Sequence, residues 1–184
     1  GDDIGAYITQ GTDSSYYFAM CDESMDNDCT QQGYALNGFP DTNLPVSTDI
    51  YVAKLDKQGN IIWHYDYGGT WNERISGGII YNADHTLYVA AETMSGDYMA
   101  SCNAQFDSDA LLLKIDTAGH LIWSRCVGGS KEEECWGICS NGDGGCVVFG
   151  NSHSDDEDIP FNFPYVISGN PSYDAFAVNI DGNG

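Results

Sequence analysis

Basic residues are scarce in this chain. Six lysines and arginines stand against 28 aspartates and glutamates in 184 residues, which gives a formal net charge of −22. A surface of that sign repels the phosphate backbone of a nucleic acid instead of neutralising it. Nucleic acid is therefore excluded as an expected partner.

Long apolar runs are also missing. No stretch approaches the roughly 20 consecutive apolar residues that a membrane-spanning helix needs. The first residues do not combine a basic segment with an apolar one, so no signal peptide is visible. The sequence thus predicts no membrane span.

Motifs of catalysis are equally hard to find. The four histidines lack the spacing of zinc-protease helices, and no G-x-S-x-G nucleophile elbow occurs. With 28 acidic residues, some carboxylate pair always looks suitable for glycoside hydrolysis, so that signal carries little weight. The sequence favours a non-catalytic protein.

Aromatic residues, in contrast, are abundant. Twelve tyrosines, seven phenylalanines and four tryptophans supply more apolar surface than disordered acidic chains contain. The length suits one domain with one sizeable core. Seven cysteines without paired C-x-x-C motifs fit an oxidising compartment better than a structural zinc site, which predicts an extracellular or cell-surface protein.

An internal repeat organises the chain. The segment DIYVAKLDKQGNIIWHYDYGG from Asp49 matches DALLLKIDTAGHLIWSRCVGG from Asp109, and a third copy, DAFAVNIDGNG, begins at Asp174. The segments between these copies align as well. The repeat predicts a single repeat domain, 1–184, with modules at 1–70, 71–130 and 131–184, the third of them lacking its last strand.

Each module contains four short runs rich in Val, Ile, Tyr and Trp, separated by Gly, Asn and Asp, which is typical of antiparallel strands joined by turns. We name these strands a to d. Consecutive four-stranded modules of this length favour an all-β, β-propeller-type array of about three blades. Trp63 and Trp123 recur at one strand-d position, so we assign them to packing between blades.

The repeat also resembles a known family. The pattern D-A-φ-φ-φ-K-φ-D-x-x-G-x-φ-φ-W…G-G, with φ apolar, is similar to β-propeller repeats of secreted bacterial surface proteins. The resemblance implies propeller blades and leaves the ligand open. Asn179 departs from it, because Lys54 and Lys114 occupy the equivalent positions. Three blades are too few for a ring of four to eight, so the chain is a piece of a longer array, or copies complete the ring, or the array stays open.

All length variation lies in the b–c loops, which should emerge on the same face as the d–a connections between blades. Most acidic residues fall there, including Asp49, Asp109, Glu73 and Glu133. Clustered carboxylates suggest a Ca²⁺ site, and solvated loops that prevent aggregation are the alternative. The candidate metal ligands are Asp22, Asp26, Asp28, Asp97, Asp155, Asp156 and Asp158.

Aromatic residues share this predicted face. Exposed rings beside carboxylates suit sugar recognition, whereas the alternative is that the rings pin long loops onto the blades. The candidate ligand-binding residues are Tyr34, Trp71, Tyr98, Phe161 and Tyr165.

The cysteines suggest local bridges. If 141–144 form a turn, Cys139 and Cys146 lie opposite each other on strands a and b. Two further pairs are close in sequence, and the seventh cysteine is then free or bonded outside the chain. These pairs are Cys21 with Cys29 and Cys126 with Cys135, which leaves Cys102.

Three classes of function stay open at this point. The leading hypothesis is an extracellular module for adhesion or binding, with a glycan or protein ligand at the acid-rich face and calcium as cofactor. The second is a structural building block, in which the incomplete third blade pairs with further copies of the chain through its open strand edge. The third is a secreted glycan-active enzyme.

Overall fold

The computed structural model describes residues 4–22, 48–102, 107–159 and 173–184. Every regular element in these ranges is a β-strand, and they contain no helix that could cross a membrane. The strands are β1 (Ile4–Gln10), β2 (Tyr16–Asp22), β3 (Asp49–Leu55), β4 (Ile61–Tyr67), β5 (Glu73–Tyr81), β6 (Thr86–Thr93), β7 (Gly96–Asp97), β8 (Ala100–Ser101), β9 (Asp109–Asp116), β10 (Leu121–Val127), β11 (Glu133–Ser140), β12 (Cys146–Ser152) and β13 (Asp174–Ile180).

The strands form three antiparallel sheets and one small hairpin. Sheet I has the order β1-β2-β3-β4, sheet II the order β5-β6-β9-β10, and sheet III the order β11-β12-β13. The strands β7 and β8 pair only with each other in the described ranges. The predicted all-β class and its antiparallel four-stranded sheets are therefore confirmed, with a third sheet of three strands. The closure of blades around a propeller axis stays a prediction.

Sheet II lies between the other two. Its strand β9 is buried along both faces from Asp109 to Ile115, as the continuous apolar run Ala110-Leu111-Leu112-Leu113 predicts. One core cluster joins sheets I and II, and a second joins sheets II and III. The first includes Tyr17, Ala19, Ile50, Val52, Leu87, Val89, Leu111 and Leu113; the second includes Tyr88, Ala90, Ala110, Leu112, Cys146, Val148, Phe176 and Ile180.

The same contact joins each sheet to the next. The indole Nε1 of Trp63 in sheet I donates a hydrogen bond to the Thr117 carbonyl in sheet II, at 3.1 Å. Trp123 in sheet II donates in the same way to the Gly182 carbonyl after β13, at 3.4 Å. The assignment of both tryptophans to packing between modules is confirmed.

A lysine that forms an ion pair recurs in the first two modules, buried as Lys114 and half-buried as Lys54. Lys114 forms a 2.8 Å ion pair with Asp84, and Lys54 forms a 2.9 Å ion pair with Asp13, each ammonium lying over a tyrosine ring. In sheet III the equivalent Asn179 instead accepts a hydrogen bond from an asparagine side chain. At Asn179 a neutral hydrogen bond between two asparagine side chains thus replaces the ion pair of the other modules.

The β11–β12 hairpin differs from the sequence prediction by one residue. Asn141 N–H bonds to the Gly145 carbonyl, so the turn is longer than 141–144, and Cys146 pairs with Ser140. Cys139 pairs with Val147 and is exposed, whereas Cys146 is buried. A bridge between Cys139 and Cys146 was therefore the wrong prediction, because neighbouring strand positions point to opposite faces.

A disulfide joins Cys102 to Cys126, with 5.5 Å between their Cα atoms. The predicted pairing of Cys126 with Cys135 is wrong, and so is the assignment of Cys102 as the odd cysteine. Cys135 lies buried in the core between sheets II and III, away from the β8 end that carries Cys102. Cys29, the predicted partner of Cys21, lies outside the described residues, so their pairing stays a prediction.

Peptide mapping without reductant tests this pairing. We expect a proteolytic fragment that contains Cys102 linked to one that contains Cys126, because these residues alone form a bridge within the described ranges. The fragments should separate on reduction, with their combined mass increased by two hydrogen atoms. Recovery of Cys126 linked to Cys135 would contradict the described packing of β10 and β11.

Candidate binding rim

The d–a connections and the b–c excursions meet at one end of the sheets. We call this surface the acidic rim and define it as residues 68–73, 93–98, 128–133 and 152–158. The first two ranges belong to the boundary between sheets I and II, and the last two to that between sheets II and III. For these described residues, the predicted location of both kinds of loop on one rim is confirmed.

Each d–a connection ends at a fully buried glutamate that accepts hydrogen bonds from the connection and from strand b. Glu133 accepts hydrogen bonds from the backbone N–H of Gly129, at 3.0 Å, and from the hydroxyl of Ser152, at 2.6 Å. A Cβ at Gly128 would overlap the Glu133 carboxylate, so the close approach requires glycine there. The pair Gly128-Gly129 therefore leaves room for the buried Glu133 carboxylate and donates a hydrogen bond to it, besides redirecting the chain.

The same arrangement occurs one module earlier. Glu73 accepts from the Gly69 N–H at 3.0 Å and from the Thr93 hydroxyl at 2.6 Å. Both glutamates were counted among the exposed acids of the predicted face, and that assignment is wrong, because each has 0% of its surface exposed. Backbone and hydroxyl donors replace the water that a carboxylate normally binds.

Each buried glutamate also has a carboxyl neighbour at the start of strand c. Burial, followed by the negative charge of Glu133, raises the pKa of Asp109 to about 7. Burial likewise raises the pKa of Glu73, whose carboxylate hydrogen-bonds to Asp49. Near neutral pH Asp109 is therefore protonated for part of the time, which lets its carboxyl group lie beside Glu133.

Two aspartates of the b–c excursions, Asp97 and Asp156, accept hydrogen bonds from the d–a connections. Asp97 accepts hydrogen bonds from the Thr70 backbone N–H, at 2.9 Å, and from the Thr70 hydroxyl. Asp156 accepts from the Ser130 backbone N–H at 2.9 Å, and this bond is the main cause that lowers the pKa of Asp156. Both candidate metal ligands thus have a structural role in the protein.

The other candidate metal ligands have separate partners. Asp158 forms a 2.8 Å ion pair with Arg125, and Asp155 lies 3.8 Å from the ammonium of Lys131. Across the described ranges, no group of three or more His, Cys, Asp or Glu side chains is placed to hold a metal ion. The side chain of Asp22 and the whole of Asp26 and Asp28 lie outside the described residues.

Trp71 and Tyr98 are the two predicted ligand-binding residues that the structure describes. The Trp71 backbone N–H donates to the Ser95 hydroxyl at 2.8 Å, while 52% of the residue surface is exposed. Tyr98 lies next to Asp97 between β7 and β8, with φ of 53°, and is 47% exposed. The bond to Ser95 thus holds the Trp71 backbone, and about half of the surface of each of these two residues faces solvent. Tyr34, Phe161 and Tyr165 lie outside the described residues.

Sequence reasoning missed the buried carboxyl pairs, although a signal was present. Gly-Gly is followed by Glu at the same spacing in 68–73 and 128–133, and [T/S]-x-S-x-D recurs in 93–97 and 152–156. No family model and no curated protein matches the chain. The rim presents Trp71, Tyr98 and several acidic side chains, and three carboxyl groups at the rim, those of Glu73, Asp109 and Glu133, are buried.

Proposed function

We propose that this chain is an extracellular, non-catalytic binding module that recognises an uncharged carbohydrate at the acidic rim through Trp71 and Tyr98. The observation that carries the proposal is the half-exposed indole of Trp71 on a hydrogen-bonded backbone. A preorganised aromatic ring binds at little entropic cost, since its backbone is already ordered.

Exposure of these rings favours recognition over loop pinning. A ring that pins a loop is covered by that loop, whereas about half of the surface of Trp71 and Tyr98 faces solvent. Neither ring contacts another aromatic ring of the described residues. Flat apolar surfaces of this kind stack on the C–H faces of sugars, and nearby carboxylates accept hydrogen bonds from sugar hydroxyls.

The charge of the chain narrows the ligand class. A net charge of −22 repels sulfated or uronic-acid polymers, so an uncharged glycan is the better fit. The Cys102–Cys126 disulfide supports an oxidising location outside the cell. Buried Asp109, Glu133 and Glu73 are shielded from any substrate, which supports a non-catalytic role.

The repeated contacts between sheets support a propeller-type array as the scaffold. Trp63 and Trp123 each donate to the following c–d turn, so equivalent contacts join sheet I to sheet II and sheet II to sheet III. Repetition of such contacts carries every connection to one rim, where adjacent modules can present a composite surface.

A glycan-array screen followed by calorimetric titration tests the proposed function. Replacement of Trp71 by alanine should weaken binding of the best uncharged glycan by about tenfold or more, as expected for an aromatic anchor. Trp136→Ala is the matched control, because Trp136 is also exposed but lies on β11, outside the rim.

Three outcomes of the titration are informative. Unchanged affinity in Trp71→Ala would reject the rim as the binding surface. A loss of affinity only in Trp136→Ala would place the ligand at β11 instead. Titrations with calcium and with excess chelator test the proposed cofactor. An affinity that is lost on chelation would assign a calcium ion to the complex.

A further inference from the structure

The first strands of the three sheets each contain a β-bulge, and the bulges face one open cleft. The residues that the bulges insert, opposite no partner on the neighbouring strand, include Gly5 in β1, Ser76 in β5 and Trp136 in β11. All three line a cleft of about 440 Å³, a volume typical of small-molecule sites. Bulges re-aim side chains and are common beside functional sites. We call this feature the bulge cleft; no residue of the acidic rim lines it.

Close contacts between these strands form the walls of the bulge cleft. The Tyr7 hydroxyl of β1 donates a hydrogen bond to the Ser76 carbonyl of β5 at 2.8 Å, and the Tyr7 ring lies against Gly78. The Cys135 sulfur of β11 packs against Gly77, where a Cβ would come within 2.6 Å of it. The cleft is therefore built from strands in direct contact with one another.

Arg74 lines the cleft and has no partner in the protein. All six lysines and arginines lie in the described ranges, where four of them form ion pairs. Within those ranges only Arg74 and Lys57 have neither an ion pair nor a side-chain hydrogen bond. Arg74 is exposed and lies opposite Glu92 across β5 and β6, yet no ion pair joins the two side chains. Its guanidinium is thus free to bind a carboxylate through two parallel hydrogen bonds.

Two acidic side chains line the same cleft. Glu92, which is half-buried, accepts a hydrogen bond from the Cys135 backbone N–H at 3.2 Å. Glu134 accepts one from the Trp136 indole N–H at 3.1 Å. A carboxylate has lone pairs for further donors beyond one such bond.

The signs of these charges narrow the ligand class. The carboxylates of Glu92 and Glu134, together with the net charge of −22, would repel a simple anion. A simple cation would leave the Arg74 guanidinium unpaired. A zwitterion carries one charge of each sign, so it complements all three side chains.

The cleft also has aromatic walls. Trp136 is 61% exposed and Tyr7 is 38% exposed. The hydrogen bond to Glu134 restrains the Trp136 indole while its surface remains accessible. A ligand ring can pair with such a surface in an offset-stacked or edge-to-face arrangement.

We propose that the bulge cleft binds a free aromatic α-amino acid. Arg74 binds the carboxylate of the ligand, and the ligand ring lies against Trp136. Glu92 and Glu134 accept hydrogen bonds from its ammonium group, which has three N–H donors. This ligand differs in charge and location from the uncharged glycan of the acidic rim, so the two proposals are independent.

Isothermal titration calorimetry with L-phenylalanine tests the proposal. The 184-residue chain should bind this amino acid with a Kd of about 0.5 mM or less. Two analogues test whether both charges are needed: N-acetyl-L-phenylalanine lacks the ammonium group, and L-phenylalaninamide lacks the carboxylate. Each analogue should bind about tenfold more weakly or worse, because one side of the cleft then loses its charged partner.

Substitutions locate the ligand in the cleft. Arg74→Gln and Trp136→Ala should each weaken binding of L-phenylalanine by about tenfold or more. Lys57→Gln is the matched control, because it removes the same charge from an exposed turn outside the cleft. Trp71→Ala, which alters the acidic rim, should leave the affinity for L-phenylalanine unchanged. Far-UV circular dichroism and thermal unfolding establish that each variant is folded.

The proposal is overturned if L-phenylalanine does not bind at concentrations up to about 10 mM. It is equally overturned if either single-charge analogue binds as tightly as L-phenylalanine, or if Arg74→Gln binds as tightly as Lys57→Gln. Equal weakening by Trp71→Ala and Trp136→Ala would also contradict it, because the ligand would then not be confined to the bulge cleft.

Discussion

Replacement of Glu133 by alanine should destabilise the protein by about 4 kcal/mol, as a buried acceptor is lost together with side-chain volume. The Gly129 N–H and the Ser152 hydroxyl would both lose their partner in a site without solvent access. Urea unfolding followed by tryptophan fluorescence measures the effect. Glu133→Gln, which keeps one acceptor and most of the volume, should cost less than half as much.

Two further variants make this prediction specific. Glu73→Ala should have a similar effect, because Glu73 has the same two kinds of donor in the preceding connection. Glu132→Ala is the control, since Glu132 precedes Glu133 on the same connection but its side chain is 39% exposed. We expect this control to change stability by no more than about 0.5 kcal/mol. Equal effects of Glu132→Ala and Glu133→Ala would contradict the buried position of Glu133.

The second large effect is a dependence of stability on pH. In the folded protein the pKa of Asp109 is about 7, whereas its ordinary value is 3.8. A carboxyl group with a raised pKa stabilises the fold at low pH and loses that contribution as the pH rises through its folded pKa. The free energy of unfolding should therefore fall by about 2 kcal/mol between roughly pH 5.5 and pH 8.

An asparagine at position 109 isolates this contribution. Asp109→Asn cannot ionise but can still donate a hydrogen bond to Glu133, so the decrease in stability should become smaller by about 2 kcal/mol over the same range. Asp143→Asn removes one charge from an exposed turn and is the control for general charge repulsion. If both variants keep the slope of the unsubstituted chain, Asp109 is ionised in the folded protein and the carboxyl pair is not as described.

The strands and their order could be predicted because the signals are local. Alternating and continuous apolar runs bounded by Gly and Asp predict strands and turns, and β9 shows the burial on both faces that its sequence indicates. The recurrence of Trp63 and Trp123 likewise predicted contacts between modules. In these cases the residues that carry the signal also make the contact.

The hairpin register and the disulfide depend on details that the sequence leaves open. Gly142 and Gly144 both adopt positive φ, near 84°, which permits a longer turn than the one predicted and moves Cys146 one position along β12. Cys102 reaches Cys126 only because the β7–β8 hairpin folds back toward β10. A short excursion of that kind has no strong periodicity to reveal it.

The buried glutamates were the largest error in the predicted site. Charged residues are mostly exposed, so Glu73 and Glu133 were expected at the surface. Their burial depends on donors from Gly69, Gly129 and the following strand b, which are distant in sequence or carried by the backbone. Recurrence of Gly-Gly with Glu at one spacing was the available signal, and its meaning required the tertiary contacts.

The central claim is that the three sheets stack in sequence order with one repeated contact between neighbours. Nuclear Overhauser effects from the two indole N–H protons test it most directly. The structure predicts that the Trp63 N–H is close to Thr117 and the Trp123 N–H close to Gly182. Both indole protons showing contacts only within their own sheets would contradict the stacking, and with it the rim.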